Sequence, residues 1–323
     1  SVRRHRPSVV EVSVRAPMAA RNFHPGQFYR LQNYETLSPV IEETRLQTEG
    51  MALTGAKVDA ETGLISLMIL EAGASSRLCA SLPVNTPVVL MGPTGKATDL
   101  PENQTILVTA GRRGAAVMGM LGPALRARGN RVLYFAGFRT ADEVYQQDML
   151  EAAADVVVWC TASGPPVSVR RPQDRSLTGD FMSILRRYGD GELGSDKSSS
   201  TISLSSVDRV LVIGSRVLLR MMQEAMQNEL RDRFRSDVTA ICSVPSPMQC
   251  MLQGVCAQCL QWHIDPATGL RTRAVFSCAG QDQPLQWVDM DNLDARLAQN
   301  SMAEKLTNIW LDYLLVRGEI AHV

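Results

Sequence analysis

Nowhere in the 323 residues is there an apolar run near the ~18–20 consecutive positions that a bilayer-spanning helix needs. An export signal is missing as well: Ser1-Val2-Arg3-Arg4-His5-Arg6 leads into an alternating pattern, not an apolar core. No membrane span is expected, and the sequence reads as that of a cytoplasmic protein. Net charge is absent, since 33 basic residues balance 33 acidic ones, which removes the overall field that would favour nucleic acid or an anionic surface. The constellations of hydrolytic catalysis are absent too. The four histidines, His5, His24, His263 and His322, are dispersed, and no HExxH, Ser/His/Asp or paired-carboxylate pattern accompanies them. There is no internal repeat. The chain starts on Ser1 instead of Met, which fits a piece of a longer polypeptide.

The length is about two domains' worth at ~100–200 residues each, and a 45% hydrophobic content supports a core in each. Apolar residues alternate over 7–16 (Val10, Val12, Val14), and similar segments return at 27–31, 64–70 and 86–91 between Gly, Pro and Asn turns. This pattern predicts a small antiparallel barrel or sandwich over the first hundred residues. After Pro101 short β-branched runs at 105–109, 131–136, 155–159 and 209–213 alternate with helical stretches at 115–128, 141–153, 181–188 and 217–230. Such alternation predicts a parallel, doubly wound sheet. The polar, Gly/Ser-rich stretch 189–200 reads as a mobile surface loop. From 291 to 316 Met302, Leu306, Ile309, Trp310 and Tyr313 recur at helical spacing. The stripe is expected either to pack on its own domain or to dock a partner.

Seven cysteines, an odd number with four crowded into the last quarter, favour a metal site over a disulfide framework. Cys250, Cys256, Cys259 and Cys278 are separated by five, two and eighteen residues. Thiolates are soft donors for iron–sulfur clusters or zinc, and the tight 256/259 pair is expected to place two sulfurs at one metal edge. Zinc ribbons offer two separate Cys-x-x-Cys knuckles, whereas three cysteines in a loop plus one distant cysteine follow the plant-type [2Fe–2S] order, here with a first gap one residue longer. Gly254 within the loop lets backbone amides approach the sulfurs. Cys79, Cys160 and Cys242 lie in apolar surroundings and read as core residues.

With this cluster the chain, from about residue 8 to 288, resembles the ferredoxin reductase-like electron-transfer subunits, those of dihydroorotate dehydrogenase type B and of bifurcating NADH-dependent ferredoxin:NADP oxidoreductases. The resemblance is carried by His24-Pro25-Gly26-Gln27-Phe28, Gly92-Pro93-Thr94-Gly95, Tyr134-Phe135-Ala136-Gly137-Phe138-Arg139, Leu211-Val212-Ile213-Gly214-Ser215, Cys256-Ala257-Gln258-Cys259 and Cys278, in order. It implies an α/β plus all-β architecture: an FAD-binding β-barrel (1–100), an NAD(P)-binding Rossmann-like domain (101–244), a small [2Fe–2S] domain (245–290) and a helical tail (291–323). Three motifs depart from the family pattern. Its Arg-Pro-x-Ser falls on Met51-Ala52-Leu53-Thr54, its Gly-x-Gly-Thr on Gly73-Ala74-Ser75-Ser76, and its glycine-rich turn on Ala110-Gly111-Arg112-Arg113-Gly114.

The resemblance therefore implies Gln27, Tyr29, Thr54, Gly73, Ser75 and Ser76 as flavin contacts. Gly111, Arg112, Gly114 and Gly214 would contact the dinucleotide, and Cys250, Cys256, Cys259 and Cys278 would ligate the metal. Arg170, Arg171 and Arg175 follow the third strand and either read a 2′-phosphate or pair with local charges. The expected function is an electron-transfer module of an NAD(P)H-dependent oxidoreductase that passes electrons from nicotinamide through FAD and a [2Fe–2S] cluster to another subunit or domain. The alternatives are a non-catalytic, cluster-bearing relay that has lost nucleotide binding, and a zinc-stabilised regulatory domain.

Overall fold

The computed structural model describes residues 1–193 and 201–320. Of the loop expected over 189–200, Gly189 closes a helix, and 194–200 lie outside the described residues.

The first region contains β1 (Val2–Arg6), β2 (Val9–Arg15), α1 (Pro17–Arg21), β3 (Phe28–Asn33), a short ribbon β4 (Val40–Ile41) and β5 (Thr44–Arg45), β6 (Met51–Asp59), β7 (Leu64–Leu70), α2 (Ala74–Ala80) and β8 (Val88–Thr94). Six strands form one antiparallel sheet in the order β1-β2-β7-β6-β3-β8. Its register pairs Val10 with Ile69 and Val12 with Leu67. The period-2 alternation thus delivers these side chains, with Tyr29 and Leu31, to one buried face, each worth about 1.5–3 kcal/mol when fully buried. The edge strands β1 and β8 do not pair with each other, so the sheet is barrel-like but open.

The second region runs β9 (Thr105–Gly111), α3 (Arg112–Arg126), β10 (Arg131–Phe138), α4 (Gln147–Ala152), β11 (Val156–Thr161), β12 (Arg175–Thr178), α5 (Phe181–Gly189), β13 (Arg209–Ile213), α6 (Arg216–Gln227) and β14 (Thr239–Ser243). Strands β9 and β11 are almost continuously buried, as a parallel sheet covered on both faces requires. The sheet order is β12-β11-β10-β9-β13-β14. Beyond β9 the chain steps one way to β10, β11 and β12, then returns to the other side with β13. The carboxyl ends of β9 and β13 therefore flank the switch point where such sheets open a crevice.

The last region holds the hairpin β15 (Leu260–Ile264) and β16 (Arg271–Phe276), β17 (Asp282–Pro284), α7 (Met290–Ala298) and α8 (Ser301–Val316). Strand β17 pairs antiparallel with β14 and becomes the edge of the parallel sheet. The region after Pro245 is thus stitched into the sheet it follows. The single helix expected over 291–316 is two, broken at Gln299 and Asn300. No helix among the described residues is long and apolar enough to cross a membrane.

Candidate functional site

At the switch point β9 ends at Gly111 and α3 begins at Arg112 with no side-chain cap on its amides. A cavity of about 630 Å³ lies there, lined by Gly111, Arg113, Gly137, Arg139, Gly214 and Ser215, among others. Gly114 is required by packing: a Cβ on it would stand 2.5 Å from the Ile213 carbonyl oxygen, so only glycine lets α3 sit this close to β13. Arg112 lines this cavity as well. Its guanidinium donates to Ser8 Oγ at 3.0 Å and to Glu143 Oε1 at 3.2 Å. The neighbouring Arg113 is exposed and lines this cavity and two others.

Thr54 and Arg113 continue the trough into a cavity of about 390 Å³ where all three regions meet. Phe28 and Thr54 come from the antiparallel sheet, Gly214 and Ser243 from the parallel one, and Ser246, Gln281 and Asp282 from the last region. Ser246 Oγ and Gln281 Oε1 are buried there without a hydrogen-bond partner. The Asp282 carboxylate accepts the Thr98 hydroxyl at 2.5 Å, and burial pushes its pKa above the usual range.

The four cysteines of the last region gather as two adjoining pairs. The Cys250 thiol donates to Cys256, and the Cys259 thiol to Cys278. Cys256 and Cys259 also lie close enough to interact. Positive φ at Met251, Gln253, Gly254 and Ala257 turns the loop's amides inward. The N–H of Leu252 lies 3.3 Å from Cys250 Sγ, and that of Gln258 3.5 Å from Cys256 Sγ. The Gln258 amide first, then that of Cys250, draws the exposed Cys256 thiol down to about 7, whereas burial pushes Cys259 up to about 11. The loop's carbonyls are held outward: Arg30 Nε donates to Gln249 O at 2.9 Å, and Arg296 Nη2 to Ala257 O and Gln258 O at 2.7 Å each. Among the described residues no three His, Cys, Asp or Glu side chains are placed to hold a single metal ion. Cys79, Cys160 and Cys242 are buried.

The remaining expected flavin residues are used inside the protein. Gln27 accepts from His24 N at 2.9 Å and donates to Gly95 O at 3.1 Å. Tyr29 lies fully buried in the first core, with its hydroxyl on Ala19 O. Ser75 Oγ accepts the Glu49 N–H, and Ser76 Oγ those of Ala72 and Gly73. At the start of α2 the Glu304 carboxylate of α8 accepts the Ala74 N–H. A Cβ on Gly73 would meet that carboxylate at 2.2 Å, so the glycine leaves room for it. Arg170 pairs with Asp148 and Glu151, Arg171 with Asp174, and Arg175 donates to the Pro172 and Asp174 carbonyls. Local pairing, not an open phosphate site, describes these three.

No protein-family model matches the chain. It is 29% identical over 298 residues to RP006, an uncharacterised protein of Rickettsia prowazekii (strain Madrid E), covering 92% of this chain and 31% of that protein. It is 23% identical over 154 residues to the electron transfer subunit of dihydroorotate dehydrogenase B (NAD(+)) of Bacillus cereus (strain B4264), covering 47% of this chain and 56% of the subunit. The chain thus spans about a third of the first relative's length and just over half of the second's. Among solved structures, one of an NADH-dependent reduced ferredoxin-NADP oxidoreductase superposes over 96% of both chains with a TM-score of 0.73 at 19% identity. The ferredoxin reductase of carbazole 1,9a-dioxygenase does so over 73% of this chain and 66% of its own, with a TM-score of 0.50 at 18% identity. The chain thus has a ferredoxin reductase-like fold and, over about half its length, is similar in sequence to the electron transfer subunit of dihydroorotate dehydrogenase B.

Proposed function

We propose that the chain is an electron-transfer module that takes electrons from a nicotinamide through a flavin and releases them through a [2Fe–2S] cluster on Cys250, Cys256, Cys259 and Cys278. The observation that carries this reading is Phe28, which lines the cavity at the three-way junction and packs against Cys259 and Cys278. One side chain separates the two compartments. The thiols suit the cluster by their chemistry: soft donors in adjoining pairs, with amides aimed at two of the sulfurs. Cys250 and Cys256 would hold one iron, and Cys259 and Cys278 the other.

The junction cavity suits the edge of a flavin ring, because Ser246 Oγ and Gln281 Oε1 are orphaned there and await a polar partner. Thr54 would face the same ring. Arg113 and the uncapped amides of α3 would meet nucleotide phosphates, with Gly111 and Gly214 allowing close backbone approach. When bound, flavin interconverts hydride and single-electron chemistry, and the cluster carries electrons one at a time. The recipient would be another oxidoreductase subunit or domain, by analogy with the relative whose name describes an electron transfer subunit.

One observation favours a second reading, a cluster-bearing relay that binds no flavin: Glu304 stands at the start of α2, where the family-like Gly73–Ser76 segment would otherwise offer its amides to a diphosphate. Anaerobic titration with NADH and NADPH separates the two. Loss of flavin absorbance followed by cluster reduction is expected for the module. A reducible cluster beside an inert nucleotide site would replace it with the relay.

A further inference from the structure

Helix α8 carries five large apolar residues on its outer face that the other described residues leave largely exposed: Met302, Leu306, Ile309, Tyr313 and Val316 are 67%, 61%, 65%, 46% and 88% exposed. They follow one another at intervals of four, three, four and three residues. This is the narrow seam of a coiled coil, not the broader stripe of a helix packed on a globular core. The opposite face of α8 is occupied. Leu311 and Leu314 are buried, Arg77 of α2 donates to Asn308 O at 3.0 Å and pairs with Asp312, and Glu304 accepts from Ala74. The helix, about 24 Å long, is therefore held in place with its seam outward, and a partner would not have to fold it first.

We propose that this seam is the contact between two copies of the chain, with their α8 helices antiparallel. The seam is self-complementary in that arrangement. Setting Leu306 opposite Ile309 of the second copy also sets Met302 opposite Tyr313 of the second copy, and both contacts repeat by the two-fold. Lys305, which has no ion-pair partner among the described residues, then faces Asp312 of the second copy, again twice. Asp312 can take part because its side chain remains 65% exposed while paired with Arg77. On the other flank the half-buried Trp310 meets Ala303 of the second copy, a large residue over a small one. A parallel pair would instead bring Lys305 against Trp310, and Asp312 against Arg317, whose guanidinium already pairs with Glu319 and Glu42.

Sedimentation velocity of the full chain from low micromolar to several hundred micromolar tests this. Reversible association to twice the monomer mass is expected. Leu306→Glu and Ile309→Glu should each raise the dissociation constant by about a hundredfold or more, and Met18→Glu, at an exposed apolar residue of α1, should leave it unchanged. Unaltered circular dichroism would show that the seam variants are folded. Lys305→Glu should weaken the dimer by about tenfold, because only the antiparallel arrangement sets it against Asp312. A monomer at every concentration would overturn the proposal and give the seam to a different partner. A dimer indifferent to the α8 variants, or to Lys305→Glu, would overturn the contact or its direction.

Discussion

Cys256 is the residue whose chemistry departs furthest from its neighbours. A thiol drawn down to about 7 by the amides of Gln258 and Cys250 is about half thiolate at neutral pH, whereas the ordinary thiol is almost wholly protonated there. In protein stripped of metal, alkylation of Cys256 by iodoacetamide should therefore reach half its maximal rate near pH 7, as followed by peptide mass spectrometry. A midpoint at the ordinary thiol value would show that the amides do not act on the sulfur. The buried Cys79, Cys160 and Cys242, whose pKa values burial raises, should stay unlabelled in the same experiment. Glu304 is the second informative residue. If its carboxylate competes with a diphosphate for the start of α2, Glu304→Ala should tighten FAD binding by about tenfold, read by quenching of flavin fluorescence; unchanged or weaker binding would assign the carboxylate a purely structural place.

At the scale of elements, Gly114 ties α3 to β13. Gly114→Ala would press a methyl group against the Ile213 carbonyl and should lower stability by about 1–3 kcal/mol, seen as a lower urea midpoint; no change would mean that α3 can shift without cost. The same scale shows what the sequence could and could not reveal. Strands β2, β7, β9 and β10 announce themselves, because alternation or a continuous β-branched run is long enough to read. Strand β17 has three residues and one proline, and only its pairing with β14 makes it a strand. Gln281 and Asp282 reach the junction through that pairing, so no local pattern could mark them. Arg112 and Arg113 are adjacent and chemically identical. Both line the trough, but Arg112 is held there by Glu143 and Ser8, both distant in sequence. Spacing marks four cysteines of the last region, but not which thiols touch, because spacing does not report the positive φ values that fold the loop.

For the whole molecule, the arrangement of three regions around one junction matters more than any single motif. The eroded glycine and arginine signatures stand beside an intact trough, and Phe28 links that trough to the thiols. Arg30 and Arg296 clamp the thiol loop from two regions, so the Arg296→Ala variant should loosen the loop and reduce retained iron while leaving the parallel sheet folded, as read by iron analysis beside circular dichroism. The central claim is that these thiols carry a [2Fe–2S] cluster next to a flavin cavity. The most direct measurement is the visible spectrum, with iron and sulfide content, of protein purified without oxygen. The account predicts about two irons and two sulfides per chain, with cluster absorbance lost in Cys250→Ala and Cys278→Ala. Iron-free protein, or zinc in its place with no visible absorbance, would contradict it.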